Sequence, residues 1–251
     1  MSTVLEKTAP TRSIFSYATM RDENGEEMHK SRGNSIEFEE AANKMGVDSM
    51  RWLYCRHNPA NNLSFGFNVA DEVRRRFIIP LWNVYSFFVT YANIDEFDPN
   101  STAPPMRHRP ELDRWIISEL NSLISDVTHA LNNYEPDTAC RNIETFIEYL
   151  SNWYVRLSRR RFWRSEDDAD KHAAYATLYE CLLTTSKLLA PSMPFIADAL
   201  YRNLTLSADP DALESVHLSD WPEFAVDAID ETLNYEMRLV QKLVSLGHNS
   251  R

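Results

Sequence analysis

The 251-residue sequence predicts a mainly α fold: a small β-hairpin and a cationic loop, then connecting helices, then a helix bundle. Two observations carry this prediction. Glycine is scarce, with 5 in the chain, which disfavours tight-turned β-sandwiches and glycine-rich dinucleotide folds. Apolar residues also recur at helical spacing over most of the chain beyond Asn68, as in bundles. The length allows one or two domains with real cores.

Residues 13–31 read as two short strands around the turn Asp22-Glu23-Asn24-Gly25, with Ile14, Phe15, Tyr17 and Met20 before it and Met28 after it. A short helix near 38–45 should stop at Gly46. Asp48 is placed to cap the next one, at about 49–57. Asn58-Pro59-Ala60-Asn61-Asn62 breaks the pattern. A long helix near 69–93 begins at Asn68, with Asp71 in a capping-box-like position. Its stripe is Val73, Phe77, Leu81, Val84, Phe88 and Ala92.

Residues 95–110 contain four prolines and read as a linker between domains 1–94 and 111–251. The first helix beyond it carries Leu112, Trp115, Ile116, Leu120, Leu123, Val127 and Leu131. The second, about 136–163, opens on Pro136 and carries Ile143, Phe146, Ile147, Leu150, Tyr154 and Leu157. A third spans about 169–189, with Leu178, Cys181, Leu182, Leu188 and Leu189. Pro191 and Pro194 separate it from a short helix ending at Leu204. A final helix from about 227 is apolar on two faces, through Leu233, Met237, Val240 and Val244 and through Leu239, Leu243 and Leu246. Such a helix needs more protein to cover it, so the bundle reads as truncated at its C-terminus.

The formal charge of −11 excludes a wholly basic nucleic-acid binder. Local patches survive that exclusion, because the charge is uneven: Thr205 to Met237 holds nine acids and no Lys or Arg. Cys55, Cys140 and Cys181 are isolated and odd in number, which fits a reducing cytoplasm rather than a disulfide framework. His57, His108, His129, His172 and His217 lack metal-ligand spacing, so no metal site is expected. The sequence shows no signal peptide and no apolar run of membrane-spanning length.

Within the loop MHKSRGN (28–34), Lys30 and Ser31 lie between a hairpin and a helix, with Arg32 and the permissive Gly33 behind. A loop of this kind can bring an ammonium and backbone N–H groups close to a polyphosphate. It can equally be a solvated connection, because the glycine spacing of a phosphate-binding P-loop is absent. Arg74-Arg75-Arg76 fans around its helix and reads as a solvated face. Arg156, Arg159, Arg160, Arg161 and Arg164 cluster near the end of the second bundle helix, with Arg161 and Arg164 continuing the line of Leu150, Tyr154 and Leu157. These arginines either hold an RNA backbone or steady the helix end by pairing with Glu166, Asp167 and Asp168.

MHKSRGNSIEFEEAANKMGVDSMRWLY resembles the Lys-Met-Ser-Lys-Ser signature of class I aminoacyl-tRNA synthetases, with the Gly-Asn and the Gly-Ala-Asp-like turn (Gly46-Val47-Asp48) that follow it. DEVRRRFIIPLWNVYSFFVTYAN, LDRWIISELNSLI and NWYVRLSRRRFW are similar to the isoleucyl-tRNA synthetase family in particular, and the likeness covers essentially the whole chain. Glu27 stands where the signature has its first lysine. Met28 matches, and His29 replaces the first serine. Lys30 and Ser31 match the second lysine and second serine.

The resemblance implies that residues 1–94 are the C-terminal part of a catalytic domain and 111–251 an anticodon-binding bundle. It implies an ATP loop of Met28, His29, Lys30, Ser31, Gly33 and Asn34, with Lys30 catalytic and magnesium accompanying ATP. The loop lacks the signature's first lysine and so carries fewer charges for ATP, and His29 could add one only when protonated. The implied partners are tRNA, held by the arginine cluster, and ATP and isoleucine in a complete cytoplasmic enzyme. No His-Ile-Gly-His-like motif, amino-acid pocket or editing domain is found, so the chain by itself is expected to be inactive. Valyl- and leucyl-tRNA synthetases share these motifs. A non-catalytic tRNA-binding or assembly module would share the bundle.

Overall fold

The computed structural model describes residues 2–11, 14, 16–163, 169–206, 209 and 211–249. A single helical turn, α1 (Ser2–Leu5), precedes an extended segment. The expected hairpin is only partly formed. Its turn closes through the Asp22 carboxylate, whose Oδ1 accepts from the N–H groups of Asn24 and Glu26 at 2.9 Å each. The returning arm makes a lone bridge between Arg21 and Glu27. Strand β1 (Met20–Arg21) also pairs in parallel with β2 (Leu63–Ser64). An isolated two-stranded hairpin is marginal in water, whereas the parallel pairing sits beside Leu63 and Phe65, which are buried.

Helix α2 (Phe38–Met45) stops at Gly46, whose φ of +84° suits a residue without Cβ. Helix α3 (Val47–Arg56) starts immediately. Asp48 does not cap it, as the sequence suggested. Its carboxylate accepts from the N–H groups of Ile196 (2.6 Å) and Phe195 (3.4 Å), the first turn of a distant helix, α8 (Pro194–Thr205). Arg51 donates to the carbonyls of Pro191 (2.8 Å) and Ser192 (3.1 Å), just past the end of α7 (Ala169–Leu189). Each charge therefore faces the helix end whose dipole it complements.

Helix α4 (Phe67–Ile94) buries Val73, Phe77, Leu81, Val84 and Phe88, the predicted stripe. A π-helical segment, Arg74–Ile78, lies just before Pro80. The proline removes a donor from the next turn, and local rewinding accommodates that loss. Read as a unit, α4 is long and apolar enough by length and composition to cross a membrane, which the sequence scan did not register. Its buried stripe belongs to the same core cluster as the bundle, while 28% of its most apolar window is buried.

The bundle comprises α5 (Glu111–Asn132), α6 (136–163), α7, α8 and α9 (Glu231–Asn249). Within α6, Tyr149–Val155 is π-helical. Each i→i+5 closure uses one residue more than an α turn, so the stripe changes phase. After Leu150 and Tyr154 the buried positions are Val155, Ser158 and Phe162, while Leu157 is exposed. Arg161, four residues beyond Leu157, keeps to the edge of the buried face because Asp113 holds its guanidinium. Its Nη1 and Nη2 donate to the two oxygens of Asp113 at 2.6 and 2.8 Å. Tyr154 donates to the same carboxylate at 2.8 Å, and Asp170 pairs with Arg161 at 2.9 Å. Asp113 is fully buried. Burial opposes the Arg161 charge, but these partners raise its pKa above the ordinary value.

Removing one member of a buried pair leaves an uncompensated charge, so Arg161→Ala should cost about 3–5 kcal/mol in urea unfolding. Arg160→Ala, on the exposed side, should change stability by no more than about 0.5 kcal/mol. Equal losses would contradict this packing.

Candidate functional site

The signature loop is built on one amide. Asn34 Oδ1 accepts from the N–H of His29 at 2.9 Å, and its Nδ2 donates to the Glu27 carbonyl at 3.0 Å and to Asp22 Oδ2 at 2.8 Å. Asn34 therefore ties both ends of the loop to the preceding turn. Between these ties, Lys30–Arg32 form a 3₁₀ turn that ends at Gly33, with φ +71°, a conformation in which a side chain is strained. Met28 is half-buried and packs against the core. His29, Lys30, Ser31 and Arg32 are exposed.

Lys30 Nζ lies 2.9 Å from Glu37 Oε1, and His29 Nε2 lies 3.5 Å from Glu27 Oε2. The loop thus has a pinned base and an outward cationic tip. Sequence reasoning placed Asn34 in the loop but missed Asp22 and Glu37 as its partners. Asp22 carried a signal, because an Asx residue opening a turn aims its carboxylate at the amides that follow. The Asn34 amide, followed by the Glu26 N–H, holds the Asp22 carboxyl below its ordinary value.

The arginine cluster is split by the fold. Arg156, Arg159 and Arg160 are exposed in the last turns of α6, without an ion-pair partner among the described residues. Arg161 does not join them, since its guanidinium is held by Asp113 and its side chain is only 12% exposed. Arg164 and the acids Glu166, Asp167 and Asp168 lie outside the described residues. Trp163 is exposed beside the basic face. Arg74, Arg75 and Arg76 pair with Asp71 and Glu72 along their own helix, as a solvated face does. Among the described residues no group of three or more His, Cys, Asp or Glu could hold a metal. A cavity of about 550 Å³ is lined by Tyr17, Met20, Tyr54, His57 and Leu63 among others, and by no described residue of the loop.

The class of protein follows from comparison. Residues 113–251 match the family described as the anticodon-binding domain of tRNA ligase, and the chain belongs to that family. Residues 1–75 match a second, described as tRNA synthetases class I (K).

More particularly, the chain is similar to isoleucine–tRNA ligases. It is 52% identical to that of Dehalococcoides mccartyi over all of this chain and 25% of the relative. It is 45% identical to that of Thermus thermophilus over 96% of this chain and 23% of the relative. The chain therefore spans about a quarter of the length of these relatives.

Two solved structures share the fold. One is a ternary complex of Agrobacterium radiobacter K84 agnB2 LeuRS with tRNA and LeuAMS, with TM-score 0.59 and 17% identity over 84% of this chain and 24% of that one. The other is Mycobacterium tuberculosis methionyl-tRNA synthetase with methionyl-adenylate, with TM-score 0.60 and 21% identity over 72% of this chain and 36% of that one.

Because the folded Asp22 carboxyl titrates below its ordinary 3.8, the stability it contributes is fully present above that pH. It is lost as pH falls through the lower folded value. In Asn34→Ala, the Asp22 carboxyl should titrate closer to 3.8, read from its carbon chemical shift by NMR. A titration unmoved by the substitution would contradict the amide's role.

Proposed function

We propose that this chain is part of an isoleucine–tRNA ligase, supplying the loop that stabilises departing pyrophosphate and a bundle face that holds tRNA. One observation carries the reading. An exposed lysine on an amide-pinned loop stands at the signature position in a chain 52% identical throughout to such a ligase. The reaction in question is attack of the isoleucine carboxylate on the α-phosphorus of ATP. A carboxyl–phosphorus bond forms, the bond to the β,γ-pyrophosphate breaks, and negative charge grows on the leaving oxygens. An ammonium that engages at that moment lowers the barrier more than it tightens ground-state binding.

Lys30 has that role, with Met28, Gly33 and Asn34 shaping the loop and His29 and Ser31 lining it. Arg156, Arg159 and Arg160 form the tRNA-facing surface, attracting phosphate despite the net charge because each charge reaches only about 8 Å at physiological salt. Arg161 serves packing. Magnesium belongs to ATP on this reading. The described residues offer no group of three or more His, Cys, Asp or Glu to hold it. The parent enzyme works in the cytoplasm.

The test uses a full-length isoleucine–tRNA ligase carrying this chain as its matching segment. Lys30→Ala should slow isoleucine-dependent ATP–pyrophosphate exchange by about 100- to 1000-fold, as expected on losing one preorganised donor, with isoleucine binding nearly unchanged. A loss seen only in the isoleucine binding constant would contradict the proposal.

A further inference from the structure

We propose that Glu23 is a positioning residue for the signature loop, acting as the N-terminal cap of helix α4. The catalytic half of this inference rests on the function proposed above. Glu23 sits in the turn that Asp22 closes, a few residues before Lys30. Its Oε1 accepts from the N–H groups of Asn68 (2.5 Å) and Val69 (3.3 Å), and its Oε2 accepts from Asn68 Nδ2 at 2.8 Å. The first turn of α4 thus takes its cap from a residue 45 positions earlier in the chain. The residue at its own N-cap position, Gly66, has no side chain to offer. A carboxylate there satisfies open N–H groups and complements the helix dipole.

Gly66 supplies an independent observation. Its φ of 174° is extended backbone that any residue adopts, so conformation does not demand glycine. Space does. A Cβ at Gly66 would lie 2.1 Å from Glu23 Cγ and 2.4 Å from Cδ. The missing side chain is the slot through which Glu23 reaches the helix.

Two adjacent carboxylates therefore divide the work. Asp22 holds the loop through Asn34, and Glu23 holds α4. At the far end of α4, Asp95 pairs with Lys171 Nζ at 2.7 Å and accepts from the Tyr175 hydroxyl at 2.5 Å, both on α7 of the bundle. The base of the loop is thereby tied through one helix to the bundle, while Lys30 at its tip stays exposed.

Two measurements test this. In the 251-residue chain, amide hydrogen exchange of residues 24–34 should quicken in Glu23→Ala and in Gly66→Ala. The double variant should be no faster than either alone, because removing the side chain frees the space the new Cβ needs. Glu23→Gln keeps an acceptor oxygen and should restore most of the protection. In the full-length chimera, Glu23→Ala should lower kcat for ATP–pyrophosphate exchange by about 2- to 30-fold, the rate equivalent of a lost cap. KM for isoleucine should not change. Unaltered protection of 24–34, additive effects of the two substitutions, or an unchanged kcat would each overturn the proposal. A chimera inactive with the unaltered segment would instead overturn the parent function and the catalytic half with it, and hydrogen exchange would still decide the anchoring.

Discussion

Trp52 joins the loop-bearing part of the chain to the bundle. Its indole is fully buried, stacks on Phe77 of α4 with centroids 4.2 Å apart, and donates from Nε1 to Glu144 Oε1 of α6 at 3.0 Å. Arg56 donates to the other oxygen of Glu144 at 2.8 Å. Among its described residues the loop-bearing part has two-residue strands and no sheet able to enclose a core. It is stable because α3 lies on the bundle, with Trp52 in the middle and Asp48 and Arg51 gripping the neighbouring ends of α8 and α7. An aromatic pair adds about 0.5–1.5 kcal/mol beyond the area it buries, and the shared carboxylate gives the junction its direction.

On the function proposed above, that support has a consequence at the loop. The base is fixed at Asn34 and Asp22, so a bound polyphosphate would meet a preformed turn. The tip is held only by the Lys30–Glu37 pair, whose side chains are 82% and 66% exposed. Exposed pairs of this kind contribute about 0–1 kcal/mol. On that proposed function, Lys30 would exchange Glu37 for a phosphate at little cost, as transition-state rather than ground-state engagement requires.

Much of this was legible in the sequence. Helical stripes located α4 to α7 and α9, and Gly46, Asp48, Pro191 and Pro194 marked the bounds of the shorter helices. What was hidden shares one property: it depends on partners far along the chain or on a departure from the α repeat. Asp48 looks like a local cap, yet it serves a helix that begins almost 150 residues later. Nothing near Glu23 announces Asn68. The π segment of α6 moves the buried line by one residue and turns Leu157 outward, and periodicity counted at 3.6 cannot register it. The hairpin is only partly formed, and β1 takes a further partner, Leu63–Ser64, far along the chain.

Bundle and loop should therefore unfold together. The direct measurement is amide hydrogen exchange of the intact chain at increasing urea, comparing residues 20–56 with residues 111–163. A single cooperative transition is expected, in which both regions lose protection at the same urea midpoint, and Trp52→Ala should uncouple them. If residues 20–56 already open in a separate, earlier transition in the unaltered chain, the bundle is not what holds the loop in place.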